Sequence, residues 1–216
     1  MALAKLRLVD RVMPANAAAR VADAGCGSGV ISSHLAQTAR HVVGFDANPA
    51  AIAFAARAWP QANLRFVLGP FEEMIAEGPF DQVYCLEVLE HLYEEQAVEV
   101  LRLFAMAASR RAELLVTTPN ANSAWPVIEW TLDRLHLVAT LAEAQHVTIF
   151  TKRRLAQACT AAGWVVEEMG SFNGVAPFLA AAGEPLALAT ERLEFATRRI
   201  LPWNLLYCRA RKSETG

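Results

Sequence analysis

The chain has 216 residues, 54% hydrophobic and 19% charged, enough apolar material for one well-cored domain, which excludes a mainly disordered protein. With 20 basic against 22 acidic side chains the net charge is −2, which weighs against a general nucleic-acid binder while leaving a local basic patch open. Cys26, Cys85, Cys159 and Cys208 form no C-x-x-C pair, so they are expected as reduced thiols of a cytoplasmic protein rather than as a disulfide framework.

Lys5, Arg7, Asp10 and Arg11 interrupt any apolar run of signal-peptide length, and the stretch before Arg20 is short for a large N-terminal lid. The longest apolar stretch, Val175 to Ala189, is broken by Pro177, Gly183, Glu184 and Pro185, so no membrane insertion is expected. Strand-like and helical runs then alternate. Arg20–Asp23 is a strand, followed by a glycine loop and a helix over Val30–Gln37. His41–Phe45 is a strand. Pro49–Ala58 is a helix, with Asn48 as N-cap and Pro49 at the first helical position. Leu64–Leu68 and Phe80–Cys85 are strands, Glu94–Ala108 is an amphipathic helix and Leu114–Thr117 a strand. A helix from Lys152 ends at Gly163, and Trp164–Met169 is again a strand. This order implies an α/β fold, a Rossmann-like doubly wound parallel sheet with helices on both faces. Residues 120–145 and 171–202 break the alternation. As insertions after late strands they are candidates for an acceptor-pocket wall, with plain packing as the alternative.

The loop Val21-Ala-Asp-Ala-Gly-Cys-Gly-Ser-Gly-Val30 follows the first strand directly. Gly25, Gly27 and Gly29 permit a tight turn and close ligand approach, and the loop feeds a helix N-terminus. Asp46 ends the second strand, where an acid can accept both ribose hydroxyls of a nucleoside. Strand, glycine loop, helix, strand and acid together make a nucleoside-binding unit. The spacing is G-x-G-x-G, so Val30 stands where the dinucleotide fingerprint needs a glycine. Asp23 is ill placed beside a pyrophosphate but well placed beside a cation. The ligand that fits is S-adenosylmethionine, with a ribose, an adenine, no phosphate and a cationic tail. A glycine turn without a ligand would leave the entropy loss of three glycines unexplained.

Val21–Gly29, Val43-Gly-Phe-Asp46 and Phe80-Asp-Gln-Val-Tyr-Cys-Leu-Glu-Val-Leu-Glu-His91 resemble the successive motifs of class I S-adenosylmethionine-dependent methyltransferases. The likeness runs from Arg20 to Thr118, resumes over His146–Gly170, and points in particular to the branch that includes ubiquinone-biosynthesis O-methyltransferases. It implies a single methyltransferase domain over 1–216 and a seven-stranded sheet with one antiparallel strand, at Asn204–Arg209. It also implies cofactor contacts at Asp23, Gly25, Cys26, Gly27, Gly29, Asp46, Ala47 and the Cys85–Leu86 backbone. Such enzymes usually carry Gly-Asp after the third strand, the Asp holding the adenine amine. This chain reads Gly69-Pro70-Phe71-Glu72. Glu72 or backbone can replace that contact, or Phe71 can stack on adenine.

Glu87-Val-Leu-Glu90-His91 follows the fourth strand. On a helix, positions i, i+3 and i+4 share a face, which would gather two carboxylates and an imidazole. Such a set suits a divalent cation (Mg or Zn) or acid–base catalysis, and His146 is a candidate fourth ligand. The arrangement resembles metal-dependent 2′-O-methyltransferases of RNA 3′ ends. Equally, the two acids can complement a helix start and His91 can be a wall residue. His34, His41 and His136 stand alone. Thr118-Pro119-Asn120 sets a turn whose Asn120 can touch an acceptor or cap a helix. Lys152-Arg153-Arg154 reads as a solvated helix start or a phosphate contact. Trp125, Trp130 and Trp203 read first as core or interface.

Because an oxygen acceptor must lose a proton, these acids and His91 favour O-methylation of a small molecule. RNA 3′-end methylation is the second reading. A nicotinamide-dependent oxidoreductase would want G-x-G-x-x-G and Tyr-x-x-x-Lys, which are missing. A non-catalytic nucleoside-binding protein would leave the acidic segment without a role.

Overall fold

The computed structural model describes residues 2–123, 147–174 and 184–214. Helix α1 (Ala2–Val12) leads into β1 (Arg20–Ala24), α2 (Val30–Leu35), β2 (His41–Asp46), α3 (Pro49–Ala58) and β3 (Leu64–Leu68). Next come α4 (Glu73–Glu77), β4 (Phe80–Leu86), α5 (Glu94–Met106) and β5 (Ala108–Pro119). Helix α6 (Lys152–Ala161), β6 (Trp164–Phe172), α7 (Glu184–Ala196) and β7 (Leu205–Lys212) complete the described elements. The seven strands form one sheet in the order β3-β2-β1-β4-β5-β7-β6. Strand β7 runs antiparallel to both its neighbours, and the other pairings are parallel.

The central strands are mostly apolar because helices cover both faces of a parallel sheet. Successive residues point to opposite faces, so Val83 and Leu114 join the core of Phe45, Phe80, Phe104 and Trp164. Tyr84 and Leu115 join the other core, which holds Leu8, Val12, Met13, Leu35 and Tyr207. Helix α1 was not expected from the sequence. Its buried stripe of Leu8, Val9 and Val12 lays it across the second core. Asn48 caps α3 as expected, its side chain accepting from the Ala50 and Ala51 N–H groups at 2.9 and 3.3 Å.

Several boundaries differ from the expected ones. β5 begins at Ala108, opposite Phe80, rather than at Leu114, and β6 continues through Phe172. Ser171 and Phe172 therefore belong to the sheet rather than to an insertion. Trp125, Trp130, His136 and His146, with most of the 120–145 segment, lie outside the described residues. All four cysteines are free and buried. No helix among the described residues is long and apolar enough to cross a membrane.

Candidate active site

The chain reverses its order between β1 and β4, so the crevice of this sheet opens beyond the carboxyl ends of those two strands. Gly25, Gly27 and Gly29 fill the loop after β1 with φ of 76°, 50° and 77°, in the left-handed region where other residues are strained. Their surroundings divide them. A Cβ at Gly25 would stand 2.3 Å from Val88 Cγ2, and one at Gly29 would stand 2.7 Å from Phe66 Cζ and 2.9 Å from Ala55 Cβ. At Gly27 such an atom meets nothing within 4 Å. The close approach expected at all three is therefore made by the chain's own side chains at Gly25 and Gly29. Gly27 alone presents an open Cα face.

Asp46 ties this loop to the end of β2. Its Oδ2 accepts from the Gly27 N–H and its Oδ1 from the Asn48 N–H, each at 2.8 Å. The Gly25 and Cys26 N–H groups both donate to the Phe45 carbonyl. A carboxylate offers about four lone-pair positions, so each Asp46 oxygen keeps capacity for a further donor. Ala47 is exposed beside it.

Asp23, only 2% exposed on β1, accepts a 2.6 Å hydrogen bond from the Ser32 hydroxyl. Burial pushes its pKa up to about 6, against the pull of Ser32 and of Lys5. Burial and the neighbouring acids also push the Cys26 thiol far up, so it stays a neutral thiol. Cys85 and Leu86 are buried at the end of β4. Phe71 is half-buried and turned edge-on to Phe104, with centroids 5.5 Å apart. Glu72 beside it is exposed.

The segment after β4 departs from the helical expectation. Glu87 has φ of 61° and lies outside any helix, and Leu89–His91 is a single 3-10 turn. The shared face therefore does not form. Glu87 Oε2 takes a 3.3 Å ion pair from Lys5, Glu90 is turned inward and His91 is exposed. Among the described residues no three His, Cys, Asp or Glu side chains are gathered to hold a metal. Glu90 is 2% exposed, and its pKa is pushed up to about 7, first by burial and further by Glu87. The nearby Thr118 hydroxyl works the other way, although neither it nor Glu90 Oε2 completes a hydrogen bond. Glu87 Oε1 and Thr117 Oγ1 are also buried without partners. Unpaired buried polar groups cost about 1–3 kcal/mol each, and four of them stand along the ends of β4 and β5.

These raised carboxyls set the sign of the pH dependence. Between the unfolded and folded pKa values the native state binds more protons, so stability falls as pH rises. For Asp23 the window runs from about 4 to about 6, and full ionisation destabilises by roughly 3 kcal/mol. Asp23→Asn, whose amide oxygen can still accept from Ser32, is expected to flatten the fall of the thermal midpoint between pH 4 and 7. An identical slope in the variant would place the titration elsewhere.

A hollow of about 490 Å³ lies beyond β5, lined by Asn120, Asn122, Thr151, Arg153, Ile200 and Pro202 among others. Residues from both interrupting segments meet there. Asn120 is held by two hydrogen bonds. Its amide donates to the Trp203 carbonyl at 2.7 Å and its Oδ1 accepts from the Asn122 N–H. In the basic run, Arg154 pairs with Glu94 at 2.6 Å and Lys152 donates to the Arg199 carbonyl, and both Lys152 and Arg153 line the hollow. Trp203 is structural, its indole N–H donating to the Glu194 carbonyl.

A family described as a methyltransferase domain matches residues 1–169. The chain belongs to that family. A ubiquinone biosynthesis O-methyltransferase from Xylella fastidiosa (strain 9a5c) is 32% identical over 98 residues, 44% of this chain and 39% of that protein. The match thus spans well under half of the relative's length. Among solved structures, a SAM-dependent methyltransferase from Archaeoglobus fulgidus superposes with a TM-score of 0.68 at 19% identity, covering 96% of this chain and 92% of the other. Magnesium protoporphyrin IX methyltransferase from Synechocystis PCC 6803, solved with bound SAH, gives 0.64 at 19% identity over 96% of this chain and 79% of that one. The fold is that of these enzymes, with β7 as the single reversed strand among those described.

Proposed function

We propose that the chain transfers a methyl group from S-adenosylmethionine to an oxygen of a small-molecule acceptor. The observation that carries this reading is the open face of Gly27 beside the Asp46 carboxylate at the crevice between β1 and β4. In this assignment the spare acceptor capacity of Asp46 receives the ribose hydroxyls. Ala47 and the Cys85–Leu86 backbone border the adenine, and Asp23 faces the cationic end. The Xylella relative's name supports oxygen as the acceptor atom, and the SAH in the Synechocystis neighbour supports the cofactor. The cofactor supplies an activated methyl group on a positively charged sulfur.

The chain's own part is to align the acceptor and to take its proton. Glu90 is the group we assign to that second task. Its Oε2 is unpaired, and a carboxyl with a pKa of about 7 is poised to accept a proton near neutrality. The hollow at Asn120 and Arg153 is assigned to the acceptor.

The test is transfer of labelled methyl from S-adenosylmethionine to phenols, sugars and short RNAs, with and without chelator. Methylation of a phenolic or sugar oxygen is expected, with kcat about a hundredfold lower in Glu90→Gln and S-adenosylhomocysteine affinity retained. Turnover on RNA alone would overturn the small-molecule assignment, and an unchanged kcat in the variant would remove Glu90 as the base.

A further inference from the structure

Charge is distributed unevenly over this chain. Its net charge is −2, yet the hollow assigned to the acceptor carries Lys152 and Arg153, and among the described residues no acid lines it. Both cations stand in the first turn of α6, which holds no acidic side chain, although the partial positive charge of a helix start favours acids there. Arg154, third in that turn, is neutralised by Glu94 at 2.6 Å. Lys152 donates one of its three protons to the Arg199 carbonyl at 3.1 Å. Arg153 is exposed, and among the described residues its guanidinium has no such partner. The apolar part of the hollow is held in place from β6. Ser171, buried near the end of that strand, donates to the Leu201 carbonyl and accepts from the Trp203 N–H, which fixes Pro202 between them. Ile200 lines the hollow with Pro202 and, at 82%, is the most exposed large apolar side chain among the described residues. Asn120 bridges to Phe150. The run from Val147 to Phe150 connects the hollow to the proposed base, since the Val147 and Thr148 N–H groups donate to the Glu90 carbonyl at 2.8 and 3.1 Å.

We infer that the acceptor is an anion, a small molecule with a carboxylate or phosphate-ester group on an apolar body, its charge taken by Lys152 and Arg153 and its body covered by Ile200 and Pro202. This rests on the assignment of the hollow to the acceptor. Two cations lining one hollow repel, and a single anionic group between them adds two attractions against that repulsion. Arginine offers a planar fork that matches carboxylate and phosphate alike, and lysine a point charge, so the shared chemistry is that of an oxyanion. The apolar wall favours a body with little else that is polar. A fixed anion also restricts how the acceptor can turn, and orientation of the attacking oxygen is what methyl transfer most needs from the protein. In the sequence Lys152-Arg153-Arg154 is one basic run. The structure divides it, with Arg154 given to Glu94 and the other two to the hollow.

Calorimetry of the full chain, first loaded with S-adenosylhomocysteine, tests this with three probes of similar size: benzoate, phenyl phosphate and the neutral benzyl alcohol. One of the two anions is expected to bind about tenfold more tightly than the alcohol, and which of them binds better distinguishes a carboxylate acceptor from a phosphate ester. Added salt should weaken the anion and leave the alcohol unchanged. Arg153→Gln is expected to weaken the preferred anion about tenfold, with benzyl alcohol and S-adenosylhomocysteine held within about twofold. Arg153→Lys should recover part of the loss, a rescue that a merely structural role would not give. Equal affinity for the anions and the alcohol, no binding of either anion, or native affinity for the anion in Arg153→Gln would overturn the inference. Capture of a short RNA in place of both small anions would overturn it as well. Each of these outcomes leaves the cofactor assignment intact, because S-adenosylhomocysteine binding is read in the loading step. Failure at that step would overturn the cofactor assignment and, with it, the acceptor role of the hollow.

Discussion

Asp46→Ala is expected to weaken S-adenosylhomocysteine by between a hundredfold and ten-thousandfold. Each hydrogen bond from a ribose hydroxyl to a carboxylate contributes about 1.5–3 kcal/mol, and every 1.4 kcal/mol is tenfold in affinity. The loss has a second source. Asp46 also fixes the Gly27 and Asn48 N–H groups, so its removal loosens the turn that presents the open face. Asp46→Asn separates the two contributions, because an amide oxygen can still accept from one backbone N–H while the amino group opposes the other donor. It should fall between the native protein and the alanine variant. Calorimetric titration reads the affinity, and the thermal midpoint reads the loop. Asp46→Ala binding within threefold of the native protein would mean that the ribose lies elsewhere.

Much of the fold is legible in the sequence because parallel strands covered on both sides are short, continuous apolar runs. Leu64–Leu68 appears in the structure with the expected limits, and Arg20–Asp23 and His41–Phe45 each extend by one residue. β5 was less legible. Arg110 and Arg111 are exposed on its first half, so the run reads as apolar only from Leu114. The same composition that identified a glycine loop could not divide its labour, because the partners are Val88 and Phe66, distant in sequence. For the acids after β4, spacing has a structural meaning only once the backbone is known. The left-handed turn at Glu87 sends Glu87 toward Lys5, and the short 3-10 turn that follows buries Glu90 and exposes His91. Thr117 and Thr118 look like ordinary strand residues in sequence. They become functional candidates only because their hydroxyls are buried unpaired at the crevice.

That division of labour predicts opposite phenotypes for two neighbouring glycines. Gly29→Ala should damage stability. The left-handed backbone adds about 1–2 kcal/mol, and the new methyl group meets Phe66 and Ala55 at 2.7 and 2.9 Å. The Phe66 ring cannot simply retreat, since it also stands 2.7 Å from where a Cβ of Gly44 would be, and Ala55 is buried in α3. Overpacking of this kind adds about 1–3 kcal/mol, so the total is roughly 2–5 kcal/mol. At this size each kcal/mol moves the thermal midpoint by about 2–4 °C. Gly27→Ala bears the backbone penalty alone, because its Cβ meets no neighbour. Its midpoint should fall by only a few degrees. Its affinity for S-adenosylhomocysteine should nevertheless drop tenfold or more, since the methyl group occupies the face on which the ligand is proposed to lie. Scanning calorimetry and isothermal titration of both variants give four numbers, and the crossed pattern is the point. A mere packing turn would make both variants unstable in proportion to their clashes and leave Gly27→Ala with native affinity. A ligand cradle makes the glycine with no neighbours the one that binding cannot spare.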